Sequence, residues 1–361
     1  MSFGLIFFII GSPGVALAAT LPTGANVVHG EVDLQTSKPD TLRIIQNSQS
    51  AIVNWQSFDI GHGALVDIVQ PNIDAAMLSR VVGHNLSEIH GSLNANGHLY
   101  LINPSGILFG SNARIDVNAL IASSLDLADS AFLSGNISFD GDSEAKIMNL
   151  GSIKADEFAA LIGGDVVNSG SILSDGGAVG LLAAGTTFQV GQTSGGTISL
   201  DISGLLNGSA TQDGLIDVTS TNGEGGQVLV NGNIDVTATS RSSTLANGAP
   251  IGDGGVVIYF SENSASWKPD AIISAEGGNV GGNGGFVELS GLLDLQLSGS
   301  HISTAAPNGE TGIFLIDPVD ITISSSSTSN LSLNGSTYDS SSTTTILNVD
   351  DLVTALASNN I

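Results

Sequence analysis

The segments Asn149–Ala155 (NLGSIKA) and Asn168–Ser174 (NSGSILS) decide the fold of this chain. They begin 19 residues apart and share asparagine, glycine, isoleucine and a small residue at every second position. A period of two places those residues on one face of a β-strand. Near-copies at a short distance indicate a repeat protein, in which each unit buries its apolar face against its neighbours. We expect Asn149 and Asn168 to stack as an amide ladder.

The predicted unit has two strands. Weaker copies of the first strand occur at Gly214-x-Ile216, Gly232-x-Ile234, Ala271-x-Ile273 and Ser300-x-Ile302. The second strand follows a glycine, which in four of five instances is the second of a pair, and it carries apolar residues two and four positions after that glycine. Its instances are Gly177-x-Val179-x-Leu181, Gly226-x-Val228-x-Val230, Gly255-x-Val257-x-Tyr259, Gly285-x-Val287-x-Leu289 and Gly312-x-Phe314-x-Ile316. We expect these glycines to adopt positive φ at a tight corner.

This pattern predicts an all-β fold, a right-handed parallel β-helix (β-solenoid) with a capped N-terminal domain. The distances between glycine markers vary, because loops of different length project outward from the coils. A β-sandwich or a barrel is the alternative fold.

Composition limits the possible functions. The chain has 361 residues, with 8 Lys and Arg against 34 Asp and Glu, a formal net charge of −26. Such a chain has no basic surface to neutralise phosphates, so we expect no nucleic-acid partner. It has no cysteine, which excludes disulfides and thiolate metal sites. Its 47 glycines favour β structure with many turns, and a hydrophobic content of 41% is too high for a disordered chain.

The N-terminus has the pattern of a secretory signal peptide. Phe3–Ile10 is a short apolar run, and Ala16-Leu17-Ala18 supplies the small-x-small cleavage pattern. We predict a signal peptide at residues 1–18, cleaved between Ala18 and Ala19. The apolar run is too short to span a bilayer. A buried strand of the fold is the alternative.

The first half of the chain is also rich in predicted strands, and one turn between them stands out. Asn103-Pro104-Ser105-Gly106 fits a type I turn, with Asn first, Pro second and Gly fourth. A strand follows at Ile107. Taken alone, this pattern indicates a corner between two strands.

Five ordered segments resemble the N-terminal haemagglutination-activity, or two-partner-secretion, domain of filamentous-haemagglutinin-like (TpsA) exoproteins. They are Asn54–Ile60, Val69–Pro71, Ser79–Val81, Ile89–Leu93 and Leu101–Gly110. In the second half, Gly284–Gly291 and Leu315–Ile323 resemble the beginning of that family's β-helical stalk. The family's Asn-Pro-Asn-Gly-Ile motif falls on Asn103–Ile107, with Ser105 in place of the second Asn. Its Asn-Pro-Asn-Leu motif has no clear counterpart, and the nearest string, His84-Asn85-Leu86, lacks the proline.

The resemblance implies a route of export. Sec would carry the chain to the periplasm, and the periplasmic domains of an outer-membrane two-partner transporter (TpsB-like) would capture its N-terminal domain. The product would be secreted or displayed on the cell surface of a Gram-negative bacterium. Asn103, Pro104, Ser105, Gly106 and Ile107 would form the secretion motif. The implied organisation is a signal peptide (1–18), a two-partner-secretion domain (19–145), β-helix repeats (146–323) and a Ser/Thr-rich stretch with a short terminal helix (324–361).

No arrangement of residues points to catalysis. Parallel β-helices also host polysaccharide-degrading enzymes, whose sites need clustered carboxylates with calcium or a basic residue. The basic residues of the repeat region are Lys146, Lys154, Arg241 and Lys268. None lies close in sequence to an acidic triplet, so we predict no catalytic site, no cofactor and no enzyme activity.

The sequence also gives no metal site. His84, His90 and His98 have even spacing, but Gly91 and Gly97 interrupt the strand that would align them. The glycine-rich segment Gly277–Asn283 lacks the Asp of calcium-binding repeats and is interpreted as a loop.

Three further local predictions concern packing and helices. Trp55 and Phe58 are expected in the core. Asp129–Gly135 is expected to form one helical turn capped by Asp129. Val349, Leu352, Val353 and Leu356 have helical spacing, with Asn348 as the cap.

The sequence thus favours an adhesin or haemagglutinin-type exoprotein, whose receptor would be a protein or glycan of a host or bacterial surface. The alternatives are the stalk of a contact-dependent toxin-delivery protein, a truncated autotransporter passenger and, last, a β-helical polysaccharide-degrading enzyme. Because relatives of this type continue far beyond such a point, Ile361 is expected to end the N-terminal piece of a larger exoprotein or a shortened paralogue.

Overall fold

The structure is a computed structural model that describes residues 20–191, 197–202, 207–297, 299–317, 322–324, 333–334, 337–338, 346–350 and 353. Its elements are almost all β-strands; the helical residues among those described are one short helix between residues 129 and 134, and residues 349, 350 and 353. The predicted signal peptide and its cleavage site at Ala18 and Ala19 lie outside the described residues.

The strands of the first half vary from two to eleven residues in length. They are β1 (Asn26–His29), β2 (Val32–Lys38), β3 (Thr41–Gln46), β4 (Ser50–Trp55), β5 (Leu65–Val69), β6 (Ala76–Val81), β7 (Ser87–Ile89), β8 (Ser92–Ile102), β9 (Ile107–Phe109), β10 (Arg114–Ser123), β11 (Asp126–Leu127) and, after helix α1 (Asp129–Ser134), β12 (Ser138–Asp140).

The strands of the second half repeat more regularly. They are β13 (Lys146–Asn149), β14 (Ser152–Ile162), β15 (Asp165–Asn168), β16 (Ser171–Leu173), β17 (Ala178–Ala183), β18 (Thr186–Gly191), β19 (Thr197–Ile202), β20 (Ser209–Gln212), β21 (Leu215–Asp217), β22 (Gln227–Gly232), β23 (Asp235–Ala238), β24 (Ser243–Leu245), β25 (Val256–Ser261), β26 (Ser264–Trp267), β27 (Ile272–Ser274), β28 (Phe286–Gly291), β29 (Asp294–Leu297), β30 (His301–Ser303), β31 (Ile313–Asp317), β32 (Thr322–Ser324), β33 (Leu333–Asn334), β34 (Thr337–Tyr338) and β35 (Ile346–Asn348).

Three ladders of parallel strands run along the molecule. Ladder A contains β3, β5, the first halves of β8, β10 and β14, and then β16, β21, β24, β27 and β30. Ladder B contains β4, β6, the second halves of the same long strands, and then β17, β22, β25, β28 and β31. Ladder C is an 8-stranded sheet of β7, β9, β13, β15, β20, β23, β26 and β29. The chain visits A, B and C in turn.

This arrangement is a parallel β-helix, which confirms the predicted fold class. The predicted repeat of two strands is wrong, however, because each coil has a third strand in ladder C. Apart from Asn149 and Asn168, with which two of these strands end, ladder C gave no repeating signal, because its inward positions include small or polar residues such as Ala210, Gln212 and Ala238. Ladders A and C cross residue 145 without interruption, through the pairs of β10 with β14 and of β9 with β13.

The inward column of ladder B follows the prediction in every coil. Val179, Val228, Val257, Val287 and Phe314 are each paired with the next in this order, and each is at most 2% exposed. Stacked coils thereby bury one continuous apolar column, which is the main stabilising contribution available to a chain without disulfides.

The glycine markers before this column have a different purpose from the predicted one. Gly177, Gly226, Gly255, Gly285 and Gly312 do not have positive φ. A Cβ atom on any of the last four would overlap the carbonyl oxygen of the marker glycine one coil earlier. Glycine is therefore required at these positions by the close approach of successive coils. The predicted positive φ occurs at Gly176, the first glycine of the first pair, where φ is 66°.

In ladder A, one of the predicted copies of the first strand is wrong. Ile153, Ile172, Ile216, Thr244, Ile273 and Ile302 are paired in this order. Gly232-x-Ile234 does not belong to it, and Ile234 is 46% exposed between β22 and β23. Thr244 fills the column instead, because its buried hydroxyl is satisfied by the Tyr259 hydroxyl at 2.8 Å.

The predicted amide ladder is present inside ladder C and extends by one residue. The Asn149 Nδ2 donates to Asn168 Oδ1, and the Asn168 Nδ2 donates to Gln212 Oε1, both at 2.8 Å. All three side chains are fully buried. Each amide also donates to a backbone carbonyl of the next coil, at Ser171, Leu215 and Ser243.

The N-terminal end of the solenoid is capped by antiparallel strands. β1 pairs with β4 at the start of ladder B, and β2 pairs with β3 at the start of ladder A. These pairings occupy backbone groups that would otherwise form exposed sheet edges, where other chains could add. The core predictions for this end are confirmed, since Trp55 and Phe58 are buried and meet edge to face at 5.4 Å.

A second, smaller sheet covers part of the outer surface of ladder B. It has the strand order β11-β12-β19-β18 and encloses its own apolar cluster, which includes Tyr100, Phe132, Phe139, Phe158 and Phe188. We call these four strands with α1 the covering sheet. The predicted helical turn is confirmed as α1, but its cap is wrong: Ala128 is the N-cap residue, without a side-chain bond, and Asp129 is the first helical residue.

At the C-terminal end, most of the predicted Ser/Thr-rich stretch and terminal helix lies outside the described residues. Residues 349, 350 and 353 are helical. The Asn348 Oδ1 accepts a hydrogen bond from the backbone N–H of Asp350 at 2.8 Å, as predicted for a cap.

We expect Asn168→Ala to destabilise the solenoid by about 2–3 kcal/mol, because it removes the buried hydrogen bonds of Asn168 to Asn149, Gln212 and the Leu215 carbonyl. Urea unfolding followed by circular dichroism measures this change. Asn112→Ala, at an exposed asparagine in the loop between β9 and β10, is the control and should change stability by less than about 0.5 kcal/mol. Equal effects of the two substitutions would show that the ladder adds nothing specific.

Candidate functional site

The Asn103 turn forms the corner between ladders B and C, because β8 ends at Ile102 and β9 begins at Ile107. The Gly106 N–H donates to the Asn103 carbonyl at 2.8 Å, which closes a four-residue turn as predicted. The Ser105 N–H donates to Asn103 Oδ1 at 2.9 Å. Ser105 therefore serves the turn through its backbone, which explains why it can stand where the family motif has a second Asn.

The Asn103 side chain is fully buried and connects the turn to the preceding coil. Its Nδ2 donates to the Asn85 carbonyl and to the Ser87 hydroxyl, both at 2.9 Å. The Ser87 N–H in turn donates to the Gly106 carbonyl at 3.1 Å. The string His84-Asn85-Leu86, which sequence reasoning related to the second family motif, thus lies directly beside the first motif in space.

Gly106 is the one residue of the turn whose identity is set by the backbone. Its φ is 95°, in the region that side chains disfavour, and a Cβ there would lie 2.6 Å from the Lys146 carbonyl. The next residue, Ile107, is fully buried in ladder C. Glycine and isoleucine are thus fixed by packing, as asparagine is.

The solvent-facing part of this corner consists of different residues. Pro104 and Asn85 are exposed, and Leu86 is 38% exposed although it is a large apolar residue. We call Leu86 and Pro104 the corner pair. Beside them lies a groove of about 420 Å³ lined by Thr20, Asp59, Gly61, Asn85, Leu86, Glu88 and His90. Sequence reasoning missed Leu86 as a candidate, and its only signal was its place in the string 84–86.

Two other segments that resemble the family, Val69–Pro71 and Ile89–Leu93, also contribute residues to corners of the first coils. The Gln70 amide is buried between ladders A and B, where it donates to the Ala75 carbonyl at 2.8 Å and accepts from the Gly97 N–H at 2.9 Å. Gly91 occupies a corner where a Cβ would overlap the carbonyls of Gly61 and Ala64.

Arg80, from the motif Ser79-Arg80-Val81, joins the covering sheet to the solenoid. Its guanidinium forms ion pairs with Asp126 at 2.9 Å and Asp129 at 2.7 Å, and donates to the Leu127 carbonyl at 2.6 Å. Burial opposes its charge, but hydrogen bonds from Arg80 to Asp129 and Asp126 outweigh that cost and raise the pKa of Arg80. Asp129, predicted to be a cap, is therefore one half of this joint.

The histidines do not converge. His98 is buried and its Nε2 lies 2.8 Å from Glu157 Oε2, whereas His90 lies 3.8 Å from Glu88 and His84 is exposed. Within the described ranges, His, Asp and Glu side chains form no group of three that could bind a metal ion. The same residues include no helix with the length and hydrophobicity needed to cross a membrane.

The fold and the corner together define a class of protein, a β-solenoid with a capped N-terminal end and a buried asparagine turn. A family described as the TPS secretion domain matches residues 18–303. The chain belongs to this family, and it is a TpsA-like exoprotein sequence of a Gram-negative two-partner-secretion system. The resemblance stated from the sequence is thereby confirmed.

Two relatives are heme/hemopexin-binding proteins of Haemophilus influenzae. The one from strain Rd is 34% identical over 185 residues, which is 48% of this chain and 20% of the relative. The other is 40% identical over 116 residues, 32% of this chain and 12% of the relative. This chain thus spans a small part of the length of either relative.

Among solved structures, the crystal structure of the HMW1 secretion domain from Haemophilus influenzae has a similar fold. The TM-score is 0.59 with 23% identity, covering 82% of this chain and 87% of that one. The similarity supports the β-helix assignment.

We expect Asn103→Ala to destabilise the chain by about 2–3 kcal/mol, because the Asn85 carbonyl and Ser87 hydroxyl lose their donor. Pro104→Ala, on the exposed side of the same turn, should cost no more than about 1 kcal/mol. Thermal unfolding of both variants tests whether the buried Asn103 contributes more to stability than the exposed Pro104. A larger loss for Pro104→Ala would contradict it.

We expect Arg80→Ala to loosen the covering sheet and to cost about 2 kcal/mol, since three charge-assisted hydrogen bonds are lost. Hydrogen exchange should rise at residues 126–140 and stay unchanged in ladder C. Arg43→Ala is the control, because Arg43 is half-exposed beside Asp67 at 3.5 Å and should contribute less than about 1 kcal/mol. Uniform exchange along the whole chain would contradict the local role of Arg80.

Proposed function

We propose that this chain is the transporter-recognised, N-terminal part of an adhesin-type exoprotein that is secreted or held at the cell surface. The observation that carries the proposal is the match of residues 18–303 to the TPS secretion domain. The partner would be an outer-membrane TpsB-like transporter, which would bind the chain through its periplasmic domains before moving it outward.

The geometry of the Asn103 corner supports two different roles for its buried and its exposed residues. Asn103, Gly106 and Ile107 are buried and would act by holding the corner in shape. Leu86 and Pro104 are exposed, and they are the apolar side chains that this corner would offer to a partner. The carboxylates of Asp59 and Glu88 at this groove would favour a transporter surface with basic residues.

Two further elements of the proposal come from the sequence. Residues 1–18 would act as a Sec signal peptide, cleaved between Ala18 and Ala19. Residues 19–145 would form the recognition module and residues 146–323 the beginning of the stalk, although both share one continuous set of ladders.

On the outside of the cell, the solenoid would present surface to a receptor, a protein or glycan of a host or another bacterium. A repeating stalk suits this task because each coil adds length without a new fold. A toxin-delivery stalk would use the same architecture, as would a truncated autotransporter passenger. A polysaccharide-degrading activity is the least supported. One groove on ladder A is lined by Asp67, Asp116 and Asp156 beside Arg43. Its carboxylates are engaged in ion pairs with Arg43 and Lys154, so the groove offers no separate acid and base of the kind that such enzymes use.

We expect a Leu86→Ser, Pro104→Ala double variant to fold normally but to be secreted about tenfold less, the equivalent of ~1.4 kcal/mol of lost docking free energy. The assay coexpresses the chain with its transporter and compares medium and periplasm by immunoblot. The matched control is Leu293→Ser, Pro250→Ala, an exposed leucine and an exposed proline at corners of later coils.

Equal secretion of both double variants would refute the corner pair as the recognised surface. Unchanged secretion after deletion of the transporter gene would refute two-partner export itself. Release of reducing sugars or unsaturated products from surface polysaccharides by the purified chain would instead support an enzyme.

A further inference from the structure

A row of polar side chains runs along the outer surface of ladder A at its N-terminal end. Each member is paired with the next across neighbouring strands, and in chain order the members are Arg43, Asp67, Asn94, Asp116 and Lys154. Neighbouring strands are about 4.8 Å apart, so the row spans about 19 Å. In the next three coils the same position holds Leu173, Asp217 and Leu245. The fully polar stretch is therefore confined to these five strands.

The loop between β5 and β6 forms a wall beside this row, because it leans over the next two coils. The Ile73 carbonyl accepts a hydrogen bond from Asn118 Nδ2 of β10 at 3.1 Å. Asn96 of β8 exchanges two hydrogen bonds with the backbone of Gln70, at 2.7 and 3.0 Å. These bonds leave the Ile73 side chain 61% exposed at the rim.

The row and the loop enclose a groove of about 570 Å³, which we call the side groove. Its floor contains Arg43, Asp67, Asn94 and Asp116, and Ile73 lies on its wall. This volume is typical of sites that bind small molecules.

The wall is braced from inside the solenoid. The Asn118 amide that holds it also donates to Glu157 Oε2 at 3.2 Å, and the same oxygen lies 2.8 Å from His98 Nε2. His98 is buried and its ring meets Phe158 edge to face at 5.8 Å. The side groove is thus formed before any ligand arrives, which lowers the ordering cost of binding.

The polar groups of the floor have unused hydrogen-bonding capacity. A guanidinium has five N–H donors, and the described ion pair of Arg43 is with Asp67 at 3.5 Å. The Asn94 amide forms no hydrogen bond to any residue that the structure describes. Asp116 lies 3.4 Å from the Lys154 ammonium. Donors and acceptors therefore alternate along the floor, and a ligand can use them without breaking a strong bond.

The chemistry of the side groove argues against three classes of ligand. Anions are repelled by Asp67, Asp116 and Asp156 and by the formal net charge of −26. Metal ions lack a site, since the described His, Asp and Glu side chains form no group of three that could hold one. An extended peptide has no strand edge to join, because β3, β5, β8 and β10 are each paired on both sides.

We propose that the side groove binds a neutral oligosaccharide that lies along the solenoid axis. A sugar hydroxyl both donates and accepts, so it can bridge the carboxylates of the floor to Arg43 and Asn94. The apolar C–H face of a sugar ring would pack on Ile73. The floor repeats every ~4.8 Å, close to the length of one sugar ring in an extended chain, so successive sugars would meet successive coils.

This binding role rests on the proposed function, because it names the class of receptor that the exported solenoid would meet. The ligand would be bound and not cleaved, since the carboxylates of the side groove are engaged in ion pairs with Arg43 and Lys154.

The test titrates the full purified chain with four neutral tetrasaccharides in a calorimeter: maltotetraose, cellotetraose, mannotetraose and chitotetraose. We expect at least one to bind with a Kd of about 1 mM or tighter. In an Arg43→Ala, Asn94→Ala double variant its affinity should fall at least about tenfold. The matched control is Arg114→Ala, Asn112→Ala, which removes an exposed arginine and an exposed asparagine outside the side groove and should keep the affinity.

Four results would overturn the proposal. They are no binding of any of the four sugars, an equal loss in both double variants, tighter binding of a heparin-derived tetrasaccharide than of any neutral one, and release of reducing ends from the bound sugar.

Secretion separates this proposal from the preceding one. The Arg43→Ala, Asn94→Ala variant should be secreted as well as the unchanged chain, because neither residue lies at the Asn103 corner. If sugar binding is absent while secretion still depends on Leu86 and Pro104, the side groove alone is refuted and the proposed function stands.

Discussion

The structure depends on the register of parallel strands between successive coils. Backbone hydrogen bonds hold each strand beside the equivalent strand of the next coil, at the spacing of neighbouring strands. Residues at the same position in successive coils are therefore direct neighbours. A column therefore has to be uniformly apolar, uniformly small or mutually hydrogen-bonded. The valine column, the stacked glycines and the buried amides from Asn149 to Gln212 are three solutions to this one constraint.

The same constraint determines which parts of the fold the sequence could predict. Columns that repeat one residue type, such as Val228, Val257 and Val287, leave a visible pattern, and so the solenoid and the register of ladder B could be predicted. Tyr259 was predicted, but Thr244 was not, because a threonine fits the apolar column only where the Tyr259 hydroxyl of another ladder satisfies its own hydroxyl. Ladder C escaped because alanine, valine and glutamine alternate there without a common signature. The glycine pairs were located correctly, but their cause lies between coils, where sequence gives no distances.

The candidate site shows a similar division. The turn at Asn103 could be predicted from Asn, Pro and Gly at fixed offsets, because local turn chemistry is a property of four residues. The place of Asn85 and Leu86 beside it depends on stacking of one coil on another and had only a weak signal. Arg80 joins the covering sheet through Asp126 and Asp129, which lie 46 and 49 positions later in the chain. The covering sheet contains no repeat, so the sequence does not show where it packs on the solenoid.

Burial of Asn103 constrains how a secretion motif can work in a folded solenoid. A side chain whose three hydrogen bonds all stay within the chain has none to offer a partner. A substitution there acts first on the corner, and any loss of recognition would follow from loss of shape. The displayed residues can vary without cost to the fold, whereas the buried ones cannot, because buried amides left without partners are destabilising. A motif can thus mark a family mainly through the residues that hold a surface in place, while recognition itself would be carried by its one exposed side chain, Pro104, together with Leu86, which the motif does not contain.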